Sequence, residues 1–269
     1  INSDERQWTW MDEGLNTFVQ YLTEQEWERG YPSRRGPAHL IADYMRGDQK
    51  FISPIMTNSE SIFQFGNNAY GKPATGLNIL RETIMGRELF DYAFKTYCER
   101  WKFKHPSPAD FFRTMEDASA VDLDWFWRGW FYGTQPVDIA IKDVKWFQLN
   151  TQNPTTEKAF LKEQADRKDV HIGVGRNEQS IKETVNERDT LIDDFYGKRD
   201  IYLVDALDRQ EYEDFKAKTN AKDLALLNAG KHFYEVNFEN VGGMVMPLIL
   251  RFTFVDDSTE IQRIPVEIW

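Results

Sequence analysis

A chain of 269 residues with 41% hydrophobic residues holds enough material for two domains, or one large one, with a sizeable core. Its net charge of −11 argues against a nucleic-acid surface dominated by lysine and arginine. The acidic excess chiefly favours solubility, and it also suits attraction of cationic amino termini. The single cysteine, Cys98, excludes an internal disulfide and a cysteine-rich metal site, but leaves the compartment open.

The first half, to about Ile139, is expected to be helical. Met11, Leu15, Phe18 and Leu22 recur at spacings of four, three and four, which predicts one apolar stripe on a helix within Arg6 to Arg29. Glu13 lies about 200° round that helix from Met11, sharing its face with Thr17 and Gln20. Further helices are expected near Pro37 to Arg46, near Ser59 to Phe65, and from Tyr70 to a stop at Gly86. Pro73 suits the first turn of the last of these, where its missing amide costs little. Two more, Arg87 to Lys102 and Pro108 to Asp117, flank a break at Lys104–Ser107, with Ser107 and Asp110 as a capping pair. A final one, Asp122 to Tyr132, closes at Gly133 with Pro136 beyond.

After Ile139 the texture changes. Val137 to Leu149 alternates like a strand, with Ile139, Ile141, Val144 and Trp146 as inward positions. Residues 150–195 are so polar that strand, loop and mobile excursion are expected, with Gly173-Val174-Gly175 as a turn. Arg209 to Ala229 reads as a helix carrying Tyr212, Phe215, Leu224 and Leu227. Phe233–Phe238, Met244–Val255 and Ile261–Trp269 read as antiparallel strands. The fold class is α+β: residues 1–139 form a helical domain part, and 140–269 a β-rich, β-sandwich-like domain with a polar, partly helical insertion.

The most apolar run, Val241 to Leu250, is too short to span a bilayer. Starting at Ile1 without an initiator methionine or leader and ending at Trp269 within an apolar alternation, both ends are expected to be cuts through folded protein.

Two places carry chemistry. An isolated glutamate such as Glu13 ordinarily sits on a solvated helix face. Its context, Trp10-Met11-Asp12-Glu13-Gly14-Leu15-Asn16-Thr17-Phe18, argues for more. Tyr70 stands in Ala69-Tyr70-Gly71-Lys72-Pro73-Ala74-Thr75-Gly76-Leu77, where the ordinary reading is a tyrosine packed at a helix start. The histidines His39, His105, His171 and His232 have no partner four residues away, so each reads as a surface or interface residue. The cluster Trp125–Tyr132 reads as a packed terminal helix rather than the lining of a sugar or peptide cleft.

The first segment resembles the W-x-N-E-G-F run of the aminopeptidase-N family of zinc metallopeptidases, the gluzincins. The second is similar to that family's Y-x-K-G segment, at close to the family's usual interval. The Trp-rich stretch running into Gly133-Thr134-Gln135-Pro136 resembles the end of its catalytic domain. Asp12, Gln20 and Pro73 stand where the family more often has asparagine, glutamate and glycine. The resemblance implies that residues 1–139 are the helical second half of a thermolysin-like catalytic domain. It implies Glu13 as a zinc ligand, completing a pair of histidines on an H-E-x-x-H helix about eighteen residues upstream, before Ile1. It implies Tyr70 as the catalytic donor to the oxyanion, an upstream glutamate as general base, and an upstream G-x-M-E-N strand for the substrate amine.

The expected function is therefore that of a fragment of a zinc-dependent aminopeptidase acting on peptide substrates. Its partner would be the missing upstream part of its own polypeptide, and a periplasmic or secreted location suits a bacterial parent. Alone, the chain is expected to bind zinc weakly and to be inactive. Two alternatives remain: a non-catalytic peptide-binding scaffold derived from the same fold, and a helical carbohydrate-active enzyme with paired acids in a tryptophan-lined groove.

Overall fold

The computed structural model describes residues 3–192 and 194–269; Ile1, Asn2 and Asp193 lie outside them. The chain divides into two compact units. One comprises the residues up to Lys142 together with Phe238–Trp269, the other Asp143–Asn237. The structure is mostly helical, with two small two-stranded sheets.

The first unit is organised by α1, Trp10–Trp27. Asp12 and Glu13 in its first turn complement the positive end of the helix dipole. Met11 and Phe18 are buried, and Leu15 and Leu22 pack partly buried against the same core, so the predicted stripe faces inward. Trp10 stacks on Phe112 at 5.8 Å between ring centroids and meets Phe131 edge-on at 4.7 Å. Such rings supply much of the burial energy here, each worth roughly 1.5–3 kcal/mol.

The chain then passes a 3₁₀ turn, Ala38–Ile41, and the single turn α2, Ala42–Met45. The helix expected near Ser59 to Phe65 is only a 3₁₀ turn at Ser59–Ser61. The helix expected from Tyr70 to Gly86 has three parts: a π-helical segment Gly66–Gly71, then α3, Lys72–Ile79, then a second π segment, Leu80–Ile84. Next come α4, Arg87–Trp101, and α5, Pro108–Ser119. Asp110 caps α5, its Oδ2 accepting from Ser107 N at 2.8 Å and Ser107 Oγ at 2.7 Å. The last helix expected in this half is the short α6, Asp124–Phe126, continued by a π segment, Trp127–Phe131. Phe126, Trp127, Trp130 and Phe131 are buried, which makes the aromatic cluster packing core. No helix among the described residues is long and apolar enough to cross a membrane.

Beyond Gly133 the structure departs from the expected β-sandwich. Strand β1, Ile139–Gln148, pairs with β2, His232–Asn240, and β3, Leu248–Thr253, pairs antiparallel with β4, Thr259–Ile264. Two packed layers need apolar faces turned inward. Ile141, Val144 and Trp146 are instead 62%, 56% and 51% exposed, so of the proposed inward positions only Ile139 packs against the core. The segment Val266–Ile268 is a 3₁₀ turn rather than the end of a strand.

The second unit is also more helical than its polarity suggested. Residues expected as strand, loop and mobile excursion form α7, Pro154–Asp166, α8, Ile172–Ser180, and α9, Val185–Arg188; Asp193 of that range is outside the described residues. Capping explains much of this: Asn153 caps α7 ahead of Pro154, and Thr184 and Glu187 form a capping box on α9. Gly173 and Gly175 lie inside α8, not in a turn. After α10, Phe195–Lys198, the helix expected over Arg209 to Ala229 is split into α11, Ala206–Lys218, and α12, Ala221–Leu227, because Asn220 caps a new start. Lys158 of α7 pairs with Asp208 of α11. None of α7, α8, α9, α11 and α12 contains a fully buried residue.

Candidate active site

Helix α1 and the Gly66–Gly71 segment place the two singled-out residues together. Tyr70 Oη donates to Glu13 Oε1 at 2.5 Å, although 57 residues separate them. Both side chains are partly buried. A close approach of the two backbones makes this contact possible. A Cβ added to Gly14 would lie 2.6 Å from Pro73 Cγ and 3.2 Å from Ala69 O, so only glycine lets α1 come this near.

The residues on either side of the tyrosine are anchored. Ala69 is fully buried, and the buried Asn68 donates through Nδ2 to Ser53 O at 2.7 Å and Pro54 O at 3.1 Å. Lys72 is buried and donates from Nζ to Gly133 O at 2.9 Å, while Trp130 Nε1 donates to Lys72 O at 2.8 Å. These two bonds tie the start of α3 to the Trp127–Phe131 segment. Burial pulls the Lys72 ammonium down to about 8 from 10.5. A π turn is wider than an α turn and commonly marks a position where a side chain must be aimed.

The electrostatics favour a protonated phenol. The hydrogen bond to Glu13 raises the Tyr70 pKa above its ordinary 10, assisted by burial and by the Glu13 charge. Arg35 acts in the opposite direction, its guanidinium carbon 4.6 Å from the centre of the Tyr70 ring. Phe65 meets the ring edge-on at 6.1 Å. No motif in the sequence pointed to Arg35. It reaches Tyr70 only because the chain folds back after α1.

Tested as a zinc site, the arrangement offers one carboxylate. Among the described residues, no group of three metal-ligating side chains includes Glu13. All four histidines are exposed; His171 caps α8 through Gly173 N at 3.1 Å, and His232 Nδ1 accepts from Trp146 Nε1 at 3.1 Å. The described donor set alone does not fit the ion. Glu116, Asp122 and Asp124 do bring carboxylate oxygens within 4.8 Å of one another, beside Trp125 and Trp127. Two of these already accept from backbone amides, Glu116 Oε1 from Leu123 N at 2.8 Å and Asp122 Oδ1 from Asp124 N at 3.0 Å.

Comparison with known proteins bears on the same segment. Residues 4–130 match the family model for the Peptidase family M1 domain. The chain is 24% identical over 204 residues to Probable aminopeptidase 1 of Sulfurisphaera tokodaii, an overlap covering 66% of this chain and 25% of that protein. It is 23% identical over 172 residues to Glutamyl aminopeptidase of Bos taurus, covering 62% of this chain and 17% of that protein. The chain thus spans a quarter or less of the length of these curated relatives. The M1 family is a zinc-dependent family of metallopeptidases, and Glu13 and Tyr70 both lie within the matched region. Residues 4–130 are a Peptidase M1 family domain, distantly homologous to aminopeptidases.

Proposed function

We propose that the chain is part of a zinc-dependent aminopeptidase that hydrolyses N-terminal peptide bonds. In this reading residues 1–139 are the C-terminal helical part of a thermolysin-like catalytic domain, and residues 140–269 a following domain that carries the polar insertion. The observation that carries the proposal is the 2.5 Å hydrogen bond from Tyr70 to Glu13, two residues from separate elements meeting inside the family-matched segment.

Each residue has a distinct task. Glu13 would contribute one carboxylate ligand from an early turn of α1, with the remaining ligands supplied from elsewhere in a longer polypeptide. Zinc, when bound, would supply activation of water for attack on the scissile carbonyl. Tyr70 is the oxyanion donor. Its phenol keeps its proton at neutral pH, and turning the hydroxyl from Glu13 towards the substrate oxygen places a neutral donor where charge develops. Lys72 and Trp130 hold the tyrosine's segment in place.

The test uses the polypeptide extended upstream, a panel of aminoacyl-coumarin substrates, and chelator as control. Chelator-sensitive release that disappears in Glu13→Ala is expected. Release that survives Glu13→Ala unchanged would overturn the role of Glu13. The 269-residue chain alone should release no coumarin and bind zinc no better than micromolar; a submicromolar affinity by titration would refute that.

A further inference from the structure

The loop that follows α1 brings two arginines to the neighbourhood of Tyr70. Thr17, Gln20 and Glu24 of α1 and Arg34 and Arg35 of the loop line a cavity of about 700 Å³. The loop is anchored at several points. Gly36, buried at a φ of +112°, lies flat against the Tyr21 ring, where an added Cβ would be 2.6 Å from Cγ. Asn78 of α3 donates to Gly36 O at 3.3 Å, and Gln25 of α1 donates to Ser33 Oγ at 3.0 Å and Tyr31 O at 3.3 Å. Arg34 and Arg35 therefore extend from a backbone held by both α1 and α3.

Their charges are not spent internally. Among the described residues, neither arginine forms an ion pair. Glu24, the one carboxylate in the lining, accepts from Gln20 Nε2 at 2.7 Å. In a chain of net charge −11, a cavity with two cations and one engaged carboxylate is a local reversal of sign. Arg35 also lies over the Tyr70 ring, so the cavity adjoins the tyrosine. A guanidinium stacked in this way keeps in-plane N–H donors, and that planar fork matches a carboxylate better than a lysine would.

We propose that this cavity is an anion subsite that takes a carboxylate of the peptide substrate beside the Glu13–Tyr70 pair. Its address at a reaction centre rests on the function proposed above; its anion chemistry does not. The carboxylate is either an acidic side chain close to the scissile bond or the terminal carboxylate of a short peptide. Both present the same two oxygens to the arginine pair.

NMR titration of the 269-residue chain, following the arginine Nε–Hε signals, tests this without metal or turnover. The probes are Gly-Glu-amide, which has only the side-chain carboxylate; Gly-Gln, which has only the terminal one; and Gly-Gln-amide, which has neither. At least one carboxylate probe should bind about tenfold tighter than Gly-Gln-amide, and which one does identifies the source. An Arg34→Gln/Arg35→Gln variant with an unchanged circular dichroism spectrum should lose that preference, and Arg34→Lys/Arg35→Lys should keep part of it. Equal binding of all three probes, no binding of any, or a preference intact in the glutamine variant would overturn the subsite. Failure of the aminopeptidase reading would show elsewhere, as absent coumarin release from the extended polypeptide with the carboxylate preference still measurable.

Discussion

Tyr70 donates a hydrogen bond from its hydroxyl to Glu13 at 2.5 Å, and that one bond joins two elements carrying the two segments of the chain with recognisable chemistry. It has a spectroscopic consequence. The phenol titrates above its ordinary 10 because the carboxylate accepts its hydrogen bond, so Glu13→Gln should bring Tyr70 ionisation to lower pH. Ultraviolet pH titration of the two proteins, with Tyr70→Phe identifying the signal, measures this. An unchanged titration would mean the bond does not persist in solution. In an active, upstream-extended polypeptide, Tyr70→Phe should lower kcat by about 10²–10³-fold, the usual cost of one oxyanion donor.

Gly14 sets the spacing of α1 from α3. Gly14→Ala would force its methyl group against Pro73 Cγ and Cβ, at 2.6 and 2.7 Å, and the proline ring has little freedom to move aside. Overpacking of this kind costs about 1–3 kcal/mol, and it should also part Glu13 from Tyr70. Urea denaturation should show a lower midpoint, and the Tyr70 titration should fall towards that of Glu13→Gln.

Lys72 makes stability depend on pH in a defined window. Its folded-state pKa is about 8 against 10.5 when unfolded, so between these values the unfolded chain binds more protons. Stability from this group therefore rises as pH rises from about 8 to 10.5, and is constant below that window. The full difference corresponds to roughly 3 kcal/mol before relaxation. Tyr97 and Cys98, both raised by burial, oppose it at the alkaline end. The comparison is thus with Lys72→Met, which should flatten the rise between pH 8 and 9.5 in urea melts. An identical slope in the variant would exclude Lys72 as its source.

The start of α5 depends on Asp110, whose carboxylate takes both the amide and the hydroxyl of Ser107. Asp110→Ala should cost about 1 kcal/mol. Thermal melts measure it, and a change within error would show that the Ser107 groups find other partners.

The sequence was most legible where periodicity and side-chain chemistry pointed the same way. Met11, Leu15, Phe18 and Leu22 announced the inward face of α1, and Ser107 with Asp110 announced the cap of α5. Elsewhere local chemistry competed with composition. The polar stretch after Asn150 reads as loop by hydropathy, yet Asn153, Thr184 and Glu187 supply the caps that let short exposed helices form. Alternation in β1 suggested a buried face, but alternation reports spacing, not the presence of a covering layer, and Ile141 and Val144 are exposed. At the candidate site, Glu13 and Tyr70 could be read because short motifs surround them. Arg35 could not, since its place over Tyr70 follows from the path of a loop, fixed by Gly36 against Tyr21.

The Asp143–Asn237 unit leaves and rejoins the rest of the polypeptide through paired strands. Asn237 donates to Asp143 at 2.8 Å and Lys145 to Glu235 at 2.9 Å, so its two ends are neighbours. Closing a flexible loop costs more the longer it is, whereas a folded segment whose ends already touch presents its junction preformed. The junction is therefore formed within the unit itself, by groups at its own two ends.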